Sequence, residues 1–284
     1  MTRPKIGLVL GGGGSRGLAH IGVLEVLVRE KIPVDLIVGT SMGAIVGVSY
    51  ALGHSPERIA DAMRRMGARN LLSFNVFSSR GRQRVLEDLL KPVLDDKSFD
   101  DLRIPMAVMA VDMISGTEIV LREGPLLPAV LASAAVPALF PPVLHNEMHL
   151  ADGGVIDSVA TQPAYSMGAE KIIVVDVYPP LEQDDPWVDP VSAIMGFQLP
   201  FSLFGSGERP PGIAASLWRS FRVMAWHIHA ERLRQYPAHV LIRPSVESYG
   251  SLDFKDIDGP IEAGAKATEA QLGALKALHN DDDP

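Results

Sequence analysis

The apolar runs Leu36-Ile37-Val38 and Ala44-Ile45-Val46-Gly47-Val48 are joined by five residues, Gly39-Thr40-Ser41-Met42-Gly43. That is the spelling of a strand, a sharp turn and a helix, with a single serine at the apex. Such a G-x-S-x-G elbow pushes a serine hydroxyl out of a sheet edge, where an acyl group can be presented to it. Gly39 and Gly43 are required because a side chain at either position clashes where the turn is tightest. Plain strand–helix turns share this pattern, so its neighbours decide what it means.

Upstream, Lys5 to Leu10 reads as a short buried strand feeding Gly11-Gly12-Gly13-Gly14-Ser15-Arg16-Gly17. A helix follows from about Leu18 to Glu30, with Leu18, Ile21, Leu24 and Val28 at helical spacing. Lys31-Ile32-Pro33 ends it and Val34 to Val38 is the next strand, which makes a βαβ unit with parallel strands and a right-handed crossover. The spacing Gly12-x-Gly14-x-x-Gly17 also fits a dinucleotide-binding loop. That reading wants an acid at the end of the second strand to hold a ribose. Here the strand ends Val38-Gly39-Thr40, and Asp35 lies at its beginning. No Lys-Ser/Thr follows Gly17, so a phosphate-binding P-loop is not spelled either. An oxyanion hole is the better reading: consecutive glycines expose backbone N–H groups, and the next helix N-terminus adds partial positive charge. A βαβ unit sets this loop beside Ser41, so Gly12, Gly13, Gly14, Ser15, Arg16 and Gly17 are its candidate residues. The plainer alternative is that the glycines only allow tight helix–strand packing.

A serine nucleophile needs a base. None of the eight histidines stands in a setting expected of one. His20 lies within the first helix, His54 follows the elbow helix, and His227 and His229 face differently on a later helix. His145-Asn146-Glu147-Met148-His149 superficially resembles a zinc motif, but its glutamate is misplaced and its flanks favour a hairpin. A serine–aspartate dyad is the alternative. Asp152-Gly153-Gly154 is its best candidate: an acid at a strand end, with two glycines that let the backbone come close.

The rest of the chain reads as more of the same architecture. A helix starts at Ser55-Pro56-Glu57, capped by serine with proline at its first position. Arg82 to Leu94 is another helix, Pro105 to Asp112 and Thr117 to Leu121 form a hairpin, and Leu126 to Ala135 is a short helix. Val143 to Leu150 turns at Asn146-Glu147, Lys171 to Tyr178 is a buried strand, and Val240 to Ile242 a short one. Ile213 to Gln235 and Pro260 to Leu278 are helices. Pro179 to Pro211 reads as an irregular excursion or lid. Its Trp187, Phe197, Leu199, Phe201, Leu203 and Phe204 form either an apolar lip or core against the helix that follows. Leu36 to Gly53 and most of Gly124 to Asn146 lack charge, but the first holds the elbow and the second is broken by prolines. With 284 residues, a net charge of −8 and no cysteine, the composition argues against nucleic-acid binding and excludes thiol catalysis and disulfide scaffolds. We expect one catalytic domain over residues 1–278 with a frayed tail at 279–284. It should be soluble and cytoplasmic, with membrane contact at most peripheral.

Three motifs in this order, Leu10-Gly11-Gly12-Gly13-Gly14-Ser15-Arg16-Gly17-Leu18-Ala19-His20-Ile21-Gly22-Val23-Leu24, Gly39-Thr40-Ser41-Met42-Gly43 and Asp152-Gly153-Gly154, closely resemble the patatin-like phospholipase family. Ala132-Ser133-Ala134-Ala135-Val136-Pro137 through Val143 also looks like the segment that precedes the family's Asp-Gly element. Bacterial members and the catalytic domain of neuropathy target esterase look most similar. The resemblance implies a three-layer α/β/α fold with a central, mostly parallel sheet. It implies a serine lipid acyl hydrolase acting on phospholipid, lysophospholipid or another acyl ester, without metal or cofactor. Ser41 would be the nucleophile, Asp152 the base, and Gly12 to Arg16 the oxyanion loop. A patatin-like protein with a regulatory or scaffolding role and no turnover is the alternative within this resemblance. A dinucleotide-binding oxidoreductase is the alternative outside it.

Overall fold

The computed structural model describes residues 3–68, 78–181 and 212–278. The βαβ unit is built as spelled. β1 (Ile6–Leu10) and β2 (Leu36–Thr40) pair in parallel from Gly7↔Leu36 to Leu10↔Gly39. Between them, a 3-10 turn over Gly14–Leu18 leads into α1 (Ala19–Arg29), so the helical stretch expected from Leu18 tightens in its first turn. β3 (Met106–Asp112) lies parallel on the far side of β2, and β7 (Lys171–Val175) and β8 (Val240–Ile242) extend the parallel set beyond β1. β4 (Glu118–Leu121) folds back on β3, and β5 (Val143–His145) and β6 (Met148–Asp152) form the second hairpin. That hairpin turns at Asn146 and Glu147 with φ of 47° and 65°. Two successive positive φ values give a turn whose twist matches its strands.

Every β1 side chain is buried, because the sheet is covered on both faces. Ile6, Leu8 and Leu10 enter the larger core, and Val9 enters the smaller one. The larger core is closed by α1, α2 (Met42–Ala51), α3 (Pro56–Ala68), α4 (Ser79–Leu94), α5 (Leu126–Ser133), α8 (Asp258–Glu269) and α9 (Leu272–Ala277). On the other face lie α6 (Thr161–Ser166) and the C-terminal end of α7 (Ile213–Gln235). Apolar runs buried on both faces are what a helix-covered parallel sheet requires. The uncharged run from Leu36 is β2 followed by α2, and no described helix is long and apolar enough to cross a membrane.

One expectation fails. The terminal helix is two helices, because Gln271 N–H takes the Thr268 carbonyl in a tight turn before Leu275 and Leu278 pack into the core. The aromatic lip at 187–204 and the tail at 279–284 fall outside the described residues.

Candidate active site

The pairing register explains how Ser41 and Asp152 meet. β4 occupies one edge of β3 from Val108 to Val111. β2 pairs with β3 as far as Thr40↔Met109, and β6 pairs from Ala110↔Asp152 to Asp112↔Leu150. A strand has only two edges, and both β2 and β6 overlap β4 in the β3 residues they use. They therefore share the opposite edge, end to end. The chain leaves β2 at Thr40 just where β6, running the other way, arrives at Asp152.

At that junction Ser41 caps α2 with φ of 55° and ψ of −121°. This backbone conformation is strained for a residue with a Cβ and is typical of residues held for function. The flanking glycines are needed for close approach. A Cβ at Gly43 would strike the Leu10 carbonyl oxygen, and one at Gly39 would lie 2.7 Å from the Gly43 oxygen. The Ser41 hydroxyl lies close enough to the Asp152 carboxyl to hold its pKa down, and both residues are 6% exposed. Burial pushes Asp152 up to about 6, while the Ser41 hydroxyl and the Gly154 N–H pull it back. The Gly154 N–H donates to the Asp152 carboxylate at 2.8 Å and fixes its rotation. Gly153 passes so close to β3 that a Cβ would sit 2.9 Å from the Met109 carbonyl carbon. A carboxyl near 6 is a far better proton acceptor than one at its usual value of about 3.9.

The glycine loop lies beside Ser41, since a Cβ on Gly12 would come 3.3 Å from the Ser41 Cβ. Its amides are not equivalent. Gly11 N–H donates to the Val175 carbonyl, Gly12 N–H to Ser158 and Ser15 N–H to Ser251. Gly13, ahead of the 3-10 turn, and Gly14, its first residue, have amides with no acceptor among the described residues. Gly14 also lines the pocket in front of Ser41. Its φ of 58° and the Ser251 carbonyl against its α-carbon exclude any side chain there. Arg16 reaches Ser251 at 3.2 Å and ties the loop to the segment before α8.

No described histidine is hydrogen-bonded to Ser41. His20 is fully buried under the loop with Nε2 2.7 Å from the Gly11 carbonyl, so it donates there as a neutral ring. Burial lowers it to about 4, against the opposing pull of the Gly11 carbonyl. Its folded value lies below the usual 6.5 or so, so the folded state binds fewer protons than the unfolded chain between those limits. The stability it contributes is therefore complete above about 6.5 and lost as pH falls toward 4. His20→Ala should cost about 3 kcal/mol in urea unfolding at pH 7.5, from the cavity and the orphaned carbonyl. Part of the wild type's loss of stability between pH 6.5 and 4 should disappear with it. His229 is also structural: its Nε2 lies 3.2 Å from Asp176, which also accepts from Arg243 at 3.0 Å. The ring stacks on Tyr178 at 4.8 Å. Alongside, Arg232 meets Glu118 at 3.2 Å and Asp157 at 3.9 Å, which fastens α7 to the sheet.

An apolar pocket opens on Ser41. Met42 and Ile45 of α2, Met63 and Met66 of α3, and Leu86 of α4 form one side. Ala134, Val136, Leu139 and Phe140, with Leu252 and Phe254, form the other. Arg82 is its charged lining residue and is tied to the Leu139 carbonyl at 2.8 Å. Apart from Met42 of the elbow and the residues of the Ala132–Val143 segment, these wall residues belong to no sequence motif. They come from five separate stretches, and helical periodicity marks them only as core.

The sequence profile of the patatin-like phospholipase family matches residues 8–165, which take in the end of β1, the glycine loop, the elbow and the Asp-Gly-Gly turn. An uncharacterized NTE family protein of Mycobacterium tuberculosis is 32% identical over 96% of this chain, which covers 47% of that protein. The lysophospholipase NTE1 of Pyricularia oryzae is 28% identical over 92% of this chain and 18% of its own length. The chain thus spans about half or less of these relatives. Among solved structures, VipD of Legionella pneumophila shares the fold, with a TM-score of 0.50 at 13% identity over 98% of this chain and 67% of VipD. The profile match covers more than half of the chain, with the elbow and the Asp-Gly-Gly turn inside it: the chain belongs to the patatin-like phospholipase family.

Proposed function

We propose that the chain is a serine lipid acyl hydrolase that works through a Ser41–Asp152 dyad. The observation that carries this reading is the apolar pocket, whose wall includes a strained serine beside a buried carboxyl. An acyl chain lying in the pocket brings its ester carbonyl to Ser41. Asp152 takes the hydroxyl proton as the oxygen bonds to the carbonyl carbon. The resulting oxyanion faces the Gly13 and Gly14 amides and the N-terminus of α2, donors worth roughly 3–4 kcal/mol each in such sites. Asp152 returns the proton to the departing alcohol, leaving an acyl-enzyme. A water, deprotonated by Asp152, then releases the fatty acid and restores Ser41. No metal enters this scheme, and the described residues contain no cluster suited to one.

Single-chain acyl esters are the first substrates to test, since the fungal relatives are named lysophospholipases. The chain would meet such lipids from one side of a membrane, as a peripheral protein. The pocket is tested by Met63→Trp, which fills it above Ser41 without touching the dyad. We expect kcat/KM for a palmitoyl ester to fall at least about tenfold, while a butyryl ester changes by less than about threefold. Equal losses on both esters would place the acyl chain elsewhere.

A further inference from the structure

The end-to-end meeting of β2 and β6 creates a problem that the sheet cannot solve. Ser41 lies just past the last β2–β3 pair, and the Asp152 amide faces the outer edge of β6, which β5 covers only as far as Leu150, so both amides are buried without a strand partner. Such groups are expensive to leave unpaired. Here both are satisfied by one short turn. The Ser41 N–H donates to the Ser133 hydroxyl at 2.9 Å, and the Asp152 N–H donates to the Ala135 carbonyl at 3.1 Å. Ser133 ends α5 and is fully buried. The turn is closed on itself: Ala134 N–H meets the Val130 carbonyl, Ala135 N–H the Ala132 carbonyl and Val136 N–H the Ala134 carbonyl.

We propose that Ser133 is a positioning residue that, with the Ala135 carbonyl, holds Ser41 and Asp152 at their working separation by gripping both backbones across the strand junction. The inference rests on the dyad reading for its catalytic consequence, but the grip itself is a property of the fold. Ser133 touches no substrate. Its oxygen acts through the Ser41 amide, and so sets the strained elbow against Asp152. Without it, the Ser41 amide loses the acceptor that holds it, and the hydroxyl drifts from the carboxylate. Because the Ser41 hydroxyl lowers Asp152, the loss also moves the acidic limb of the reaction to higher pH. A residue needed only for packing would leave that limb in place.

Ser133→Thr and Ser133→Val are nearly identical in shape and differ in the oxygen. Two measurements separate the inference from the reading beneath it: the rate of fluorophosphonate labelling across pH, and amide hydrogen exchange over residues 36–44. We expect the Val variant to label about 10–100-fold more slowly than the Thr variant, with its acidic limb at higher pH and faster exchange at the elbow. The Thr variant should label within about threefold of wild type. Equal labelling of the two, whether both fast or both slow, would overturn the proposal. If even the wild type does not label, the dyad reading fails. Exchange then decides the grip alone: faster in Val supports it, and identical in Val and Thr removes it.

Discussion

Replacing Ser41 with alanine should lower kcat for a lysophospholipid or a p-nitrophenyl ester by about 10³–10⁴-fold, with KM within about threefold of wild type. The side chain lost is the only part of the elbow that bonds to the acyl carbon in the proposed route. The pocket that binds the chain keeps every other wall residue. Oxyanion donors and binding still give some acceleration over water, so a small residue of activity is expected. Fluorophosphonate labelling should vanish altogether, since there is no hydroxyl to phosphonylate. Full esterase activity in this variant would sink the mechanism. A folded wild type that neither labels nor turns over ester would favour the regulatory reading of the same site.

Asp152→Asn should lower kcat by about 10³-fold and do so with a distinct pH signature. In the wild type, Asp152 must be ionised to accept the proton, so kcat/KM should climb with pH and level off above an apparent value near 6. The asparagine variant should show no such limb. Stability should move the other way. Burial raises the folded-state value of Asp152 above that of the unfolded chain, so between about 4 and 6 the folded state binds the extra proton. Stability is therefore highest when the carboxyl is protonated and declines as pH rises through about 6, because the buried charge must then be carried. The substituted amide carries no charge, and its oxygen still accepts from the Gly154 N–H. The variant should gain on the order of 2 kcal/mol at pH 7.5, read from urea unfolding against wild type. A variant that is both inactive and less stable would mean that the carboxylate is chiefly structural.

These two variants also separate what the site needs from what the fold tolerates. A strained serine and a buried carboxyl side by side are costly to keep. They persist because the surroundings leave no cheaper arrangement: Gly43 against the Leu10 carbonyl, Gly153 against Met109, and Ser133 on the Ser41 amide.

Much of this was legible from residues that obey local rules. The elbow, the glycine loop, the Asn146-Glu147 hairpin and the buried strands are each written within a few positions. A turn or a doubly buried strand is chosen by neighbours on the chain. Asp152 was legible as a candidate because an acid before two glycines can come close to another backbone. What it comes close to was not. That depends on β2 and β6 sharing one edge of β3, and residues 41 and 152 are linked only through pairing registers that no short stretch encodes. The same holds for the pocket, where residues from α2, α3, α4 and two loops are core by periodicity and become a wall only when assembled. The glycine loop shows the division most directly. Its glycines announce themselves in the sequence, yet only the tertiary structure commits the amides of Gly12 and Ser15 to Ser158 and Ser251 and leaves those of Gly13 and Gly14 uncommitted among the described residues. By itself the sequence determined which backbone conformations were possible at each position. The packed sheet decided which of those groups were used up in holding it together and which were left over for chemistry, because a buried amide has one proton and can donate it only once.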